Sequence, residues 1–519
     1  MDATLHSGFA RQLSWELGAL PFQMISDQFQ AEGKDFDGLR AHRWSNHRYP
    51  RPARRGPTGS TEAPTEKSHM AGDTFSTSRR KFIKAVGAGA LASGIGANIV
   101  IPKRARAAKK TLKILHWIHF VPAFDEWFNE TFVKEWGEKN DTEVIVDNIH
   151  LVGIPARAMA EVSAQKGHDL FLFNYPPPAV EEQVVDMGDV YQECERRVGK
   201  PIDLVIRSTY NPKTRKYFAF SPSFTPNPVN WRQDLFSQVG LPEGPTTWEE
   251  VRTAGKRIKQ QFGTPVGIGL AQELDTSMAM RAIMYSWGAH EQDEAGNSAL
   301  KSKQSLDAIK FVKSLFEETM TADVFTWDQS SNNRNMLGGR CSLAVNPISI
   351  TREAENNGMT DISRKIQLAG ALKGPVGAVG LPNVMSCYVI WKFSENIAGA
   401  KQFLIDYTTS FKQSFLAGQL YDFPTFPNTV PDLRQTFAKD DRGHPQDKYK
   451  KLADALSWTT NIGYPGYANG AIDEIFSTWV LNVMFAKAAS GAVSPEEALD
   501  EADATCKRIF AKWKQKGLI

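Results

Sequence analysis

The sequence has no C-x-x-C, and its four cysteines, Cys194, Cys341, Cys387 and Cys506, lie far apart. That spacing offers neither a zinc site nor a thioredoxin-like redox motif. Burial as free thiols is the ordinary outcome for such residues, and one disulfide stays open if the compartment is oxidising. Reaction machinery is sparse as well. There is no G-x-x-x-x-G-K-[ST], no H-E-x-x-H and no G-x-S-x-G, and only six histidines lie beyond residue 107. This inventory leads us to expect no metal and no cofactor. His116 and His119, three apart on an expected strand, should leave opposite faces and so make a poor joint ligand pair. Paired carboxylates for glycoside hydrolysis stay open, because their separation is spatial. A surplus of charge is also missing: 61 basic residues stand against 58 acidic ones. The basic excess is confined to the first 107 residues, so nothing in the remainder points to nucleic acid or another polyanion.

What is present begins with a leader. Ser78-Arg79-Arg80-Lys81-Phe82-Ile83-Lys84 is followed by an apolar segment, Ala85 to Ile101, broken by Gly87, Gly89, Gly94 and Gly96. Those glycines weaken a helix and make a poor membrane span. Lys103, Arg104 and Arg106 follow, around the A-x-A string Ala105-Arg106-Ala107. This resembles a twin-arginine (Tat) signal peptide, with Arg79 and Arg80 as the arginine pair and Ile83 in the usual leucine place. The resemblance implies export of a folded protein by the Tat machinery to the periplasm, with cleavage near Ala107. No cysteine precedes Cys194, so lipoprotein anchoring at the cleavage point is not expected. Residues 1–69 include the basic, aromatic string RAHRWSNHRYPRPARR. Ahead of an export signal it is read as an over-extended or disordered leader, with Met70 as the working initiator and 70–107 as the signal. The G-x-G-x-x-A string at Gly87–Ala92 follows a basic turn instead of a strand, so it is set aside.

From Thr111 the pattern alternates strand and helix. "TLKILHWI", "TEVIVDNI" and "DLFLFNY" read as strands; "AFDEWFNETFVKEWGEKN" is a helix with Phe124, Trp127, Phe128, Phe132 and Trp136 on one side, and "IPARAMAEVSAQKG" is another. This βαβαβ order predicts an α/β fold with a mostly parallel sheet, whose strand C-termini face the ligand. Thr246 or Thr247 caps a further helix with Glu249 and Glu250 in its first turn. "TPVGIGLA", "CSLAVNP" and "VMSCYVIWKF" are expected strands. Helices are expected at "SKQSLDAIKFVKSLFEETM", "ENIAGAKQFLIDYTTS", "ANGAIDEIFSTWVLNVMFAKAASG" and "SPEEALDEADATCKRIFAKWKQKG".

Aromatic residues stand beside hydrogen-bonding ones at several strand ends and breaks: His116-Trp117, Asn174-Tyr175, Trp327-Asp328 with Asn332 and Asn333, Tyr421-Asp422, and Tyr464 to Tyr467. A pyranose offers flat C–H faces and a rim of hydroxyls, so its pocket needs ring planes for the first and amides or carboxylates for the second. Trp127, Trp248, Trp391 and Trp479 fall inside helix or strand patterns and are assigned to the core.

Several blocks then carry a likeness to the family 1 extracellular solute-binding proteins of ABC importers. They are "NPVNWRQDLFSQVGLPEGPTTWEE", "MLGGRCSLAVNPISI", "ENIAGAKQFLIDYTTSFKQSFLA" and "YPGYANGAIDEIFSTWVLNVMFAKAASGAVSPEEALDEA". The resemblance implies a two-lobed periplasmic binding protein fold, class II-like, with discontinuous lobes joined by hinge crossovers. Lobe one would take 108–222 and 376–425, and lobe two 226–372 and 428–519, with "SFTPN" and "ALKGPVG" as hinges. It also implies a monomer that captures a mono- or oligosaccharide, without catalysis, for the membrane subunits of an ABC permease. Carried over by motif, Trp117 ends the first strand and Tyr175 the third, Asn346 occupies the N-G-P place, Asp422 opens the loop that approaches the cleft and Tyr464 to Tyr467 form the P-x-Y loop; with Asn174, Trp327, Asp328 and Tyr421 from the aromatic and polar pairs above, these are the expected ligand contacts. Pro347 and Ile348 depart from the family's N-G-P-aromatic run at Asn346. A secreted carbohydrate-active enzyme with paired carboxylates, a Tat-exported redox enzyme and a tyrosine-based ferric-ion binder are the competing readings.

Overall fold

The computed structural model describes residues 110–519; the leader and the twin-arginine segment lie outside the described residues. Three apolar runs build the first sheet: β1 (Lys110–Trp117), β2 (Thr142–Ile149) and β3 (Leu170–Phe173). β1 pairs in parallel with both others, Lys110 opposite Thr142 and Ile114 opposite Leu170. Helical connections make the parallel pairing possible. The first runs Pro122–Trp127, passes through a π-helical turn at Phe128–Phe132 and continues as Val133–Lys139. Its Phe124, Phe128, Phe132 and Trp136 are buried, while Trp127 is half-buried. The second is Ile154–Ala164.

Apart from a short hairpin pairing Tyr210–Asn211 with Lys216–Tyr217, the other strands are β4 (Ser223–Pro226), β5 (Val229–Arg232), β6 (Leu343–Val345), β7 (Ile366–Ala369), β8 (Pro382–Met385), β9 (Cys387–Val389) and β10 (Phe423–Pro424). β9 completes the first sheet antiparallel to β3, giving the order β9-β3-β1-β2. A second sheet, β6-β5-β7, is antiparallel throughout. Between the two lies β8-β4-β10. The chain leaves the first sheet through β4 into β5, returns from β7 through β8 into β9, and leaves again after β10. This is a mixed α/β molecule of two lobes joined by crossing strands. Ser223–Asn227 is β4 and its exit; Ala371–Gly377 precedes β8 and contains a turn in which the Gly374 N–H donates to the Gly377 carbonyl at 2.9 Å.

Three local expectations differ from what forms. "TPVGIGLA" is extended and its Val266, Ile268 and Leu270 are buried, but its backbone bonds are scattered: Val266 and Leu270 donate to the Thr319 and Val324 carbonyls, and only Gly267 and Pro265 meet a common segment, donating to Leu343 and accepting from Ser342, so no longer ladder develops. The expected single helix from Gly470 to Ser490 is two, Gly470–Ser477 and Val480–Ser490, because Trp479 turns left-handed at φ 60° and is only half-buried. β1 ends at Trp117, and the chain bends so that His116 and His119 both pack on Phe124, at 5.8 and 4.5 Å between ring centroids. The opposite-face expectation fails because His119 is no longer on the strand.

Thr247 caps the helix Trp248–Phe262 in a full capping box: its side chain accepts the Glu250 N–H while Glu250 reaches back to the Thr247 N–H. Replacing Thr247 with Ala should cost about 1 kcal/mol in urea unfolding, and with Ser much less. All four cysteines are buried and free. Burial pushes the Cys194 and Cys341 thiols up to about 12.

Candidate functional site

The C-terminal ends of β1 and β3 open onto the space between the lobes. Trp117, the last residue of β1, is buried, and its indole N–H has no partner. Two residues on, the Val121 N–H donates to His119 Nδ1 at 3.0 Å, which leaves Nε2 as the donor to Asp422 Oδ2 at 2.9 Å. The other Asp422 oxygen accepts from the Thr225 hydroxyl of β4 at 2.7 Å. His119 stacks on Trp117 at 4.9 Å and meets the Tyr421 ring edge-on at 5.1 Å. His116 shares the Phe124 ring with His119 but lies 3.0 Å from the Tyr388 hydroxyl, and burial pulls its imidazole down to about 4, so it stays neutral at pH 7. At the end of β3, Asn174 is buried with its side-chain oxygen unpartnered.

The facing wall is built on the N-terminus of helix Leu274–Ser286. Glu273 caps it, accepting the N–H groups of Thr276 and Asp275 at 2.5 and 2.6 Å. Asp275 then points into the cleft, where its two oxygens accept Asn383 Nδ2 of β8 at 2.6 Å and Asn332 Nδ2 at 2.9 Å. Asn332 reaches on to Asn346 Oδ1 at 3.2 Å, and Asn346 Nδ2 donates to the Ser349 hydroxyl at 3.0 Å. Burial first, then the neighbouring Glu273, holds Asp275 above the usual carboxylate range; burial raises Glu273 likewise. The Tyr421 hydroxyl points toward Ser349 without closing a hydrogen bond on it, and burial, Asp422 and Asp275 together push it well above its ordinary value. Tyr421 is thus the ring where the two walls meet.

A narrow crevice continues from Asn174. Tyr175 packs on Phe476 at 4.8 Å between ring centroids, flanked by Pro176, Ile462 and Ile472. Asp473 lies beside them and accepts the Ala179 N–H at 3.0 Å. Burial pushes its carboxyl up to about 7.

Of the residues expected from sequence, the structure therefore gathers Trp117, Asn174, Tyr175, Asn346, Tyr421 and Asp422 along the space between the lobes. Trp327 and Asp328 sit at its margin. The Trp327 N–H is spent on Asp323 at 2.9 Å, and Asp328 accepts the Ser330 N–H and pairs with Arg334 at 2.8 Å. Tyr464 and Tyr467 lie on the far side of the 461–468 loop. Arg207 rests over the Tyr467 ring at 5.4 Å, and Tyr464 lines a separate cavity of about 390 Å³ with Ile202, Glu294 and Thr460. Sequence reasoning missed Asp275, Ser349, Asn383, Asp473 and Phe476. Asp275, in the "ELDT" helix start, reads from sequence as a first-turn acid and not as a site residue.

The donor and acceptor set, with ring faces and, among the described residues, no cation facing Asp275, suits a neutral, hydroxyl-rich solute. Comparison with known proteins agrees with that architecture. A family model described as bacterial extracellular solute-binding protein matches residues 122–410. A putative binding protein of Brucella abortus (strain 2308) is 24% identical over 168 residues, 32% of this chain. The chain thus spans only 40% of the length of that curated relative. Among solved structures, an ABC transporter solute-binding protein from Thermotoga lettingae TMO bound with alpha-D-tagatose superposes with a TM-score of 0.64 at 18% identity, covering 77% of this chain and 100% of that one. A maltose-bound T. maritima protein does so with a TM-score of 0.63 at 15% identity, covering 77% and 99%.

Proposed function

Because the chain belongs to the bacterial extracellular solute-binding proteins, we propose that it is the periplasmic sugar receptor of an ABC importer. It binds a mono- or oligosaccharide without turning it over and hands it to the permease as a monomer. Arg79 and Arg80 direct it through the Tat route, and cleavage falls near Ala107. Residues 108–222 with 376–425 form one jaw and 226–372 with 428–519 the other. The observation that carries this reading is the set of unpartnered buried polar atoms at the cleft, the Trp117 indole N–H, the Asn174 side-chain oxygen and the Tyr421 hydroxyl, beside the aromatic faces of Trp117, Tyr421 and Tyr175. Unpaired buried polar groups cost stability, and sugar hydroxyls supply partners of both kinds. Closure then follows if the solute favours the closed arrangement over the open one.

The test is a thermal-shift and calorimetric panel with D-tagatose, maltose, laminaribiose and ribitol. A true ligand raises the apparent Tm by mass action. Tyr421→Phe should weaken the active saccharide about 5–10-fold, the value of one hydrogen bond, without lowering the Tm of the protein alone. Stabilisation only by sugar phosphates, polyamines or metals, or release of product from an oligosaccharide, would overturn the assignment.

A further inference from the structure

Helix Ser349–Asn356 begins in the cleft and ends against a backbone feature that the cleft depends on. Two consecutive non-glycine residues, Gln419 and Leu420, have φ of 53° and 66°. L side chains rarely adopt that conformation, and it persists only where the surroundings hold it. Here it has a purpose. Helix Phe411–Ala417 ends just before, and the left-handed pair turns the chain so that Tyr421 and Asp422 enter the space between the lobes.

The hold comes from across that space. Helix Phe411–Ala417 packs on Pro122–Trp127, behind β1, whereas Ser349–Asn356 packs on Ser331–Leu337 and Thr360–Lys365 in the other lobe. From the latter helix, Arg352 Nε donates to the Gln419 carbonyl at 2.9 Å and Asn356 Nδ2 donates to Gln419 Oε1 at 3.0 Å. Arg352 is itself immobilised. It is buried, its Nη1 binds Glu355 at 2.9 Å and Asp440 at 3.0 Å, and its guanidinium lies 3.9 Å from the centre of the Tyr449 ring. The same helix therefore carries Ser349, opposite Tyr421, at one end and the restraint on Gln419 at the other.

We propose that Arg352 and Asn356 are positioning residues of the solute site: without touching solute, they hold Gln419 in its left-handed conformation and so fix the aim of Tyr421 and Asp422 across the lobes. The inference rests on reading this cleft as the solute site, but its test needs no solute. Hydrogen exchange is followed by mass spectrometry in the protein, in Asn356→Ala, whose side chain is exposed, and in Arg352→Lys, which keeps the charge beside Glu355 and Asp440 but loses the Nε donor. Amides of 418–422 should exchange about tenfold faster in Arg352→Lys and by a smaller factor in Asn356→Ala, with helix Ile397–Thr409 and the β5 ladder unchanged. Glycine tolerates the left-handed region, so in a Gln419→Gly background the Arg352→Lys effect should shrink to less than about threefold. Faster exchange throughout the lobes, unchanged exchange at 418–422 in both variants, or no rescue by glycine would each overturn the proposal. A saccharide panel without a hit leaves this measurement intact, and a flat exchange result leaves the saccharide reading intact.

Discussion

Asp473→Asn should make the protein more stable at pH 8 by roughly 2–4 kcal/mol and leave it unchanged at pH 3, as read from urea unfolding at a series of pH values. Asp473 sits on helix Gly470–Ser477 with 8% of its surface exposed, beside Tyr175 and Phe476, and no cation among the described residues faces it; the Ala179 N–H is its hydrogen-bond donor. Burial raises its pKa from 3.8 to about 7. Between those values the folded protein holds a proton that the unfolded chain has shed, so this group's contribution to stability falls as pH rises through that window. Above it the full cost of a buried carboxylate is carried. Asparagine keeps the acceptor for Ala179 and carries no charge. Parallel stability curves for the two proteins from pH 3 to 8 would show that the carboxylate is not desolvated in this way.

A loss of about 3–5 kcal/mol is expected for Arg281→Met, the cost of leaving one member of a buried ion pair alone. Arg281 is fully buried on the helix that starts at Glu273 and Asp275, and its Nε donates to Glu291 at 2.7 Å. Glu291 also accepts the Tyr285 hydroxyl at 2.8 Å, and that hydroxyl in turn accepts the Gly463 N–H at 3.1 Å. Methionine fills the aliphatic volume under Phe476, where the guanidinium now lies 5.0 Å from the ring centre. It leaves Glu291 ionisable with no countercharge. Adding Glu291→Gln should restore most of the loss, and the double variant set against both single variants measures the coupling between the two residues. If the double variant is as unstable as the single one, packing and not charge is what Arg281 supplies.

The elements readable from sequence were those whose stability is local. Alternating and helical apolar spacing marks β1, β2, β3 and the helices between them, and Thr247 with Glu250 marks a helix start that forms as a full capping box. Where tertiary context decides, the pattern misleads. "TPVGIGLA" alternates like a strand but its backbone bonds are divided among three different segments, and Trp479 breaks a run of helix formers. The cleft divides along the same line. Trp117, Asn174 and Tyr421 stand next to visible chain breaks, so pairing an aromatic with a polar neighbour picks them out. Asp275, Asn383 and Ser349 come from a helix start, a crossing strand and another helix start, 108 positions apart from Asp275 to Asn383, and they meet only through folding. Nothing local distinguishes Asp275 from an ordinary first-turn acid. Gln419 and Leu420 carry no glycine or asparagine to announce their left-handed turn.

The four separate thiols carry a consequence for where the chain can mature. Each is enclosed on its own, and desolvation keeps Cys194 and Cys341 from forming the nucleophilic thiolate. No covalent bond has to be made for the native contacts to assemble, so the yield of refolding from urea is set by side-chain packing alone. It should be the same with dithiothreitol as with glutathione disulfide. A polypeptide of this kind can complete its conformational work in a reducing compartment as readily as in an oxidising one, which is what the Tat route proposed above asks of its cargo.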